Sequence, residues 1–219
     1  MSFERKLGVV LSRPVAYLFF LIYLAQSCVL IYFVYEYYDN RQTIHFQQKR
    51  ITELEEKLQI LKVIEDFQVG LTTEQIGTLA AVIDSESKRY LYDPRLLLAV
   101  ILTESSMKNG QVSYQGAHGL MQIRPATAAD VAGRTGLGWR GNDSLFDPAY
   151  NVRLGSRYLF ELILKFGDVR KALVAYNWGE TNLRTRLKAG EQIPSEYLRK
   201  VMARYQELCA KYDFEDPTI

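Results

Sequence analysis

A single carboxylate, Glu104, closes an almost wholly apolar run, since Leu96 to Leu102 carries no polar side chain. A helix built from that run is apolar on every face and belongs in the middle of a domain. Asp93 followed by Pro94 supplies an N-cap and a first helical position, which fixes where the helix starts. Glu104 then falls in or just after the last turn, where burial and the negative end of the helix dipole both disfavour its ionised form. A carboxyl held protonated near neutral pH is a general acid. After it comes a Gly-rich loop ending in Gly119-Leu120-Met121-Gln122. For a lone Glu the ordinary reading is an acid without chemistry, so its context has to decide.

The elements that would position this acid are helical. Thr73 and Glu74, with Ile76, Leu79, Ala80, Val82 and Ile83, predict a capped amphipathic helix ending near Tyr90. After the acid, Pro125 opens a small-residue helix, Ala126 to Val131, which stops in a loop from Gly133 to Asp143 containing four glycines. Asp147-Pro148 repeats the Asp93-Pro94 signature and begins a helix carrying Leu154, Tyr158, Leu159, Leu162 and Ile163, closed by Gly167. Asp168 caps a short helix leading into Tyr176-Asn177-Trp178-Gly179, and Pro194 starts a last one with Tyr197, Leu198, Val201, Met202 and Tyr205 on its apolar stripe. The fold class is mainly α, with room for a short hairpin around Lys108 to Met121.

The 219 residues suffice for one well-buried domain plus accessory segments. A net charge of +2 argues against a dedicated nucleic-acid binder. With two cysteines, Cys28 and Cys209, there is no disulfide framework. No His/Cys/Asp grouping has metal-ligand spacing, so neither metal nor cofactor is expected.

Pro14 to Tyr35 is free of charged side chains, and about 20 such residues span a bilayer as a helix. Arg5, Lys6 and Arg13 precede it and Glu36 and Asp39 follow, which places the N-terminus in the cytoplasm and the bulk of the chain outside. A cleaved signal peptide is the competing reading, but the apolar core is long and no convincing cleavage site follows. Further on, Ile44, Ile51 and Leu58 recur every seventh residue with Leu54 and Leu61 between them. That seam reads either as a coiled coil that dimerises the protein through residues 44–61 or as a single amphipathic stalk.

Taken together, Glu104-Ser105, Ser113, Gly116-Ala117, Gly119-Leu120-Met121-Gln122, Pro125-Ala126-Thr127-Ala128, Asn151-Val152-Arg153-Leu154-Gly155, Tyr158-Leu159, Ala175-Tyr176-Asn177 with Gly179, and Tyr197 resemble the catalytic domain of bacterial lytic transglycosylases of the soluble (SLT) type. The order and spacing agree from about Leu71 to Tyr212. The resemblance implies a lysozyme-like helical fold that cleaves the β-1,4 bond between N-acetylmuramic acid and N-acetylglucosamine in peptidoglycan. One glutamic acid, matched by Glu104, would protonate the glycosidic oxygen and then deprotonate the muramoyl 6-hydroxyl, giving a 1,6-anhydro end without water. A second protein carboxylate, which ordinary glycosidases need, is then unnecessary.

The same resemblance implies substrate-binding roles for Ser113, Met121, Gln122, Tyr176, Asn177 and Tyr197. A loop serine bonded to its own backbone, and a core aromatic, are the plainer readings of Ser113 and Tyr176. Trp178 reads as a sugar platform or as extra core, and Glu180 is the nearest candidate for a helper carboxylate. The expected organisation is a cytoplasmic N-terminus (1–13), a transmembrane helix (14–35), a helical stalk (36–70) and a catalytic domain (71–219). This describes a single-pass protein of the bacterial inner membrane with its domain on the periplasmic side. A hydrolytic goose-type lysozyme and a non-catalytic peptidoglycan-binding scaffold of an envelope or secretion complex are the alternatives.

Overall fold

A computed structural model describes residues 12–212. Arg5 and Lys6, which carry part of the orientation reading, lie outside the described residues, as do residues 213–219. The chain divides into two units, one up to Ile51 and one from Thr52 onward.

The first unit is helical throughout from Arg13, the start of α1 (Arg13–Phe67). Its charge-free stretch exposes Leu18, Phe19, Phe20, Ile31 and Phe33 on all sides. Among the described residues α1 is the one helix long and apolar enough to cross a membrane. Along the heptad seam Ile44, Ile51, Leu54 and Leu58 are exposed, while Leu61 packs on the core of the second unit. The residues read as a stalk therefore do not all stand clear of the domain, because Ile60, Val63 and Ile64 are fully buried in that core. These three lie off the a/d seam, and their burial is tertiary.

The second unit is built from the end of α1 and seven further helices: α2 (Thr73–Tyr90), α3 (Pro94–Ser105), α4 (Pro125–Thr135), α5 (Pro148–Phe166), α6 (Val169–Trp178), α7 (Glu180–Lys188) and α8 (Glu196–Lys211). At its centre lies α3, in which Leu97 through Leu102 are all buried, as an all-apolar run requires. Asp93 caps α3 by accepting the Arg95 N–H at 2.8 Å, and Asp147 caps α5 through the N–H groups of Ala149 and Tyr150. Gly167, at φ +64°, ends α5 in the left-handed conformation that glycine adopts without strain.

Some boundaries differ from the expectations. The cap of α2 is Thr72, paired with Gln75 in a capping box one residue earlier than anticipated. Helix α4 continues through Gly133 to Thr135, and a 3₁₀ turn at Asn142–Phe146 shortens the expected loop. Helix α7 was not anticipated; it is mostly polar and is held by Leu183, its buried residue. No strand forms among the described residues where the hairpin was expected. Isolated bridges, Val112 to His118 and His118 to Ile123, stand in its place. Positive φ at Gly110, Gly116, Gly119 and Gln122 bends the chain too often for an extended run.

Removing packed volume from α3 tests its central position. Ile101→Ala, at a fully buried site, is expected to lower stability by about 2–5 kcal/mol. The measurement is the denaturant midpoint of unfolding at unchanged slope.

Candidate active site

Glu104 sits in the last turn of α3, and the helix stops just beyond it. Ser106 and Met107 both have positive φ, 53° and 59°. Two non-glycine residues in that region are strained, and the turn is held in place by the fully buried Met107 side chain and by bonds to the segment before α2. Val69 N–H donates to Met107 O at 3.2 Å and Asn109 N–H donates to Val69 O at 2.9 Å.

The Glu104 carboxyl faces a groove of about 840 Å³. Burial pushes its pKa up to about 7, against the opposing effect of the Tyr197 hydroxyl, which donates to Oε1 at 2.6 Å. Tyr197 comes from α8, 93 positions later in the chain. It stays protonated, because burial and then the nearby Glu104 charge raise its own pKa well above the usual phenol value. Glu104 is the one carboxylate among the described residues lining the groove. Glu180 does not line it: its two oxygens take Lys165 Nζ at 2.6 Å and Arg184 Nε at 3.0 Å. Those pairings outweigh its burial and hold its pKa low.

The loop from Gly110 to Arg124 forms one wall. Its anchor is Asn151 of α5, fully buried, whose Oδ1 accepts the Met121 N–H at 2.8 Å while Nδ2 donates to His118 O and Leu145 O at 2.9 and 3.0 Å. Gly119 has φ +76°, and a Cβ there would lie 2.3 Å from both Asn151 Nδ2 and Leu145 O. One turn along α5, a Cβ on Gly155 would lie 2.4 Å from Met121 Sδ. Asn151 and Gly155, four apart on one helix face, are thus the counterpart of the Gly-Leu-Met-Gln loop.

Of the residues expected at the site, Glu104, Ser113, Gln122, Tyr176 and Asn177 line the groove together. Met121 does not, contrary to expectation. Its side chain is fully buried, since the space above Gly155 is apolar and closed. Its carbonyl instead accepts the Tyr176 hydroxyl at 2.8 Å, tying the loop wall to α6. Tyr197 approaches Glu104 without appearing in the groove lining. Ser113 Oγ accepts the Ala117 N–H at 3.0 Å, so the local backbone bond is present and the hydroxyl proton remains available to a ligand. Gln122 spends its amide nitrogen on Gln111 O and Gly119 O, which turns its oxygen into the uncommitted group. Trp178 belongs to the groove rather than the core: it is 39% exposed, and the Arg186 guanidinium lies 4.7 Å from its ring centre.

Sequence reasoning missed Tyr158, Gln115, Arg124 and Asn182, which also line the groove. A signal existed for Tyr158, which lies three residues after Gly155 on the same face of α5 and packs its ring 5.4 Å from that of Tyr176. For Asn182 there was none, since it sits on the unanticipated α7.

The raised acid has a consequence for stability. Its folded pKa of about 7 exceeds the ordinary value of 4.5, so the folded state holds the proton more tightly. Stability from this group is fully present below pH 4.5 and is lost as pH rises through about 7. Glu104→Gln, which cannot ionise, is therefore expected to be more stable than the parent above pH 7, by up to about 3 kcal/mol, and to match it at pH 4. Thermal unfolding across that pH range is the measurement.

The family model for the Transglycosylase SLT domain matches residues 81–198. The "Transglycosylase" of Enterobacteria phage PRD1 is 39% identical over 97 residues, covering 44% of this chain and 33% of that protein. An "Endo-type membrane-bound lytic murein transglycosylase A" of Klebsiella pneumoniae is 44% identical over 71 residues, covering 31% of this chain and 34% of that protein. This chain thus spans about a third of the length of those relatives. Among solved structures, the complex of the 70-kDa soluble lytic transglycosylase with bulgecin A is similar with a TM-score of 0.54 at 23% identity, covering 66% of this chain and 30% of that one, which shows the fold. With more than half of its length matched by that model and the Glu104 groove inside the matched region, the chain belongs to the Transglycosylase SLT domain family.

Proposed function

We propose that this protein cleaves the β-1,4 bond between N-acetylmuramic acid and N-acetylglucosamine in peptidoglycan by a non-hydrolytic route in which Glu104 is the only protein acid. The observation that carries this reading is one carboxyl, pushed up to about 7 by burial, as the sole carboxylate among the described residues that line the groove. Its relatives' names, lytic murein transglycosylases among them, point the same way.

In the first step Glu104 gives its proton to the glycosidic oxygen, the C–O bond breaks, and oxocarbenium-like charge develops at the muramoyl anomeric carbon. Glu104, now a carboxylate, then takes the proton of the muramoyl 6-hydroxyl as that oxygen bonds to the anomeric carbon. The product carries a 1,6-anhydro ring, the acid is restored, and no water is consumed. Tyr197 suits both halves of this cycle. Its hydrogen bond occupies Oε1, which leaves Oε2 to carry the proton, and it stabilises the carboxylate between the two steps. Ser113, Gln122 and Asn177 supply hydroxyl and amide groups matched to sugar hydroxyls and acetamido groups. Tyr176 and Met121 hold the walls at their spacing through the bond between them.

The charge-free part of α1 supports a single-pass anchor in the inner membrane. With the basic residues ahead of it, this reading places the second unit on the periplasmic side. The exposed seam at Ile44, Ile51, Leu54 and Leu58 supports self-association as a parallel dimer.

Digestion of purified sacculi by the full chain in detergent, without added metal, is expected to release 1,6-anhydromuropeptides detectable by mass spectrometry. Products with reducing ends only would identify a hydrolase instead. Glu104→Gln is expected to fold and to lose turnover by roughly 10²–10⁴-fold or more, since an amide cannot donate the required proton. Sedimentation of the fragment from Arg41 onward is expected to give a dimer, and a monomer at high concentration would reduce the seam to a spacer.

A further inference from the structure

We infer that Tyr205 and Asp93 form a positioning pair for the acid: by clasping the far end of α3 they hold α8 in the register that keeps the Tyr197 hydroxyl on Glu104. The inference rests on the reading of Glu104 as the acid and goes beyond it, to a pair that touches neither the groove nor the acid.

Helix α8 carries Tyr197 and Tyr205, about two turns apart, and is followed by Tyr212 at its C-cap. Each donates its phenol to a carboxylate at 2.6 Å: Tyr197 to Glu104 Oε1, Tyr205 to Asp93 Oδ2, and Tyr212 to Asp66 Oδ2. Asp93 is the N-cap of α3 and Glu104 lies in its last turn. The first two bonds therefore tie opposite ends of α3 to α8, and the helices run antiparallel. Apolar packing through the fully buried Val201 and Leu208 holds α8 on the core, and a single polar bond to α3 adds one directional tie to it. Two, about 12 Å apart along α8, fix its register on α3. A slip of α8 by one turn is about 5.4 Å, enough to take the Tyr197 hydroxyl off Glu104 altogether.

The Asp93 end is built to be rigid. Its carboxylate accepts the Arg95 backbone N–H at 2.8 Å and is bracketed by the Arg95 guanidinium at 2.9 Å on both oxygens. The two side chains are only 12% and 16% exposed. The Arg95 guanidinium carbon also lies 5.8 Å from the Tyr205 ring centre. At the other end the N-cap Ser195 makes no side-chain cap bond, and the Tyr197 bond to Glu104 is the tie between the two helices. The third tie reaches the end of α1 instead of α3, and its Asp66 is 46% exposed, so it serves as an internal control. The titratable groups facing Glu104 are Tyr197 from α8 and Tyr176 from α6. Of these Tyr197 bonds the carboxyl directly, so a loosened α8 registers on the acid as a weakened hydrogen bond.

The test is the titration of the Glu104 carboxyl carbon, followed by NMR on ¹³C-glutamate-labelled full chain in detergent, together with the pH profile of sacculus digestion. Tyr205→Phe and, as a second route to the same loss, Asp93→Ser, which keeps an N-cap, are expected to move the Glu104 midpoint upward by about half a pH unit. The alkaline limb of activity should move with it. Tyr212→Phe is expected to leave the midpoint where it is. In a Tyr197→Phe background Tyr205→Phe should add no further shift, because the bond it protects is already gone. The inference is overturned if either folded variant titrates like the parent, or if its shift persists undiminished beside Tyr197→Phe. A parent that titrates as described but releases no glycan product would overturn the proposed function and leave the positioning pair standing.

Discussion

The structure depends on keeping one carboxyl out of water without leaving it unbonded. A buried acid with no partner is costly, and one surrounded by donors and cations ionises and loses its proton. Glu104 is held between these limits: burial dominates, and a single neutral donor, Tyr197, opposes it. Several other carboxylates of the second unit are paired with cations of their own. Glu180 is taken by Lys165 and Arg184, and Glu161 by Arg134 and Arg157. Asp84 is taken by Lys57 and Lys88.

The wall opposite α6 is set by close approach. At Gly119 and Gly155 the loop and α5 meet at distances that leave no room for a methyl group, and the Asn151 amide supplies the bonds that would otherwise be missing from the buried loop backbone. A loop without regular structure is thereby anchored through its backbone to α5. Its free polar groups, such as the Gln122 oxygen, are directed by contacts behind them.

The sequence carried the parts of this arrangement that are local. Asp93-Pro94, Asp147-Pro148 and Gly167 marked helix ends because capping chemistry is written within a few residues. The all-apolar stretch before Glu104 marked the central helix for the same reason. What was not legible depended on distant partners. Met121 reads as a lining residue by its place in the loop, whereas its side chain packs in the core against Gly155. The bond of Tyr197 to the acid is not written near it in the sequence, because its partner lies 93 positions earlier. Ile60, Val63 and Ile64 were hidden in a stretch whose stronger periodicity belonged to an exposed seam. Helix α7 has too little apolar content to announce itself and owes its place to Leu183.

The contact between Glu104 and Tyr197 also sets an order of events. Bonds between residues so far apart form late, because the intervening chain must already be organised before its ends can meet at low entropic cost. Helix α3 packs more extensively on α8 than on any other helix, so the acid is enclosed and the site complete only when α8 docks. The sequence separation thereby works as a delay. A chain made stepwise carries an unfinished site until its final described helix has been made and packed.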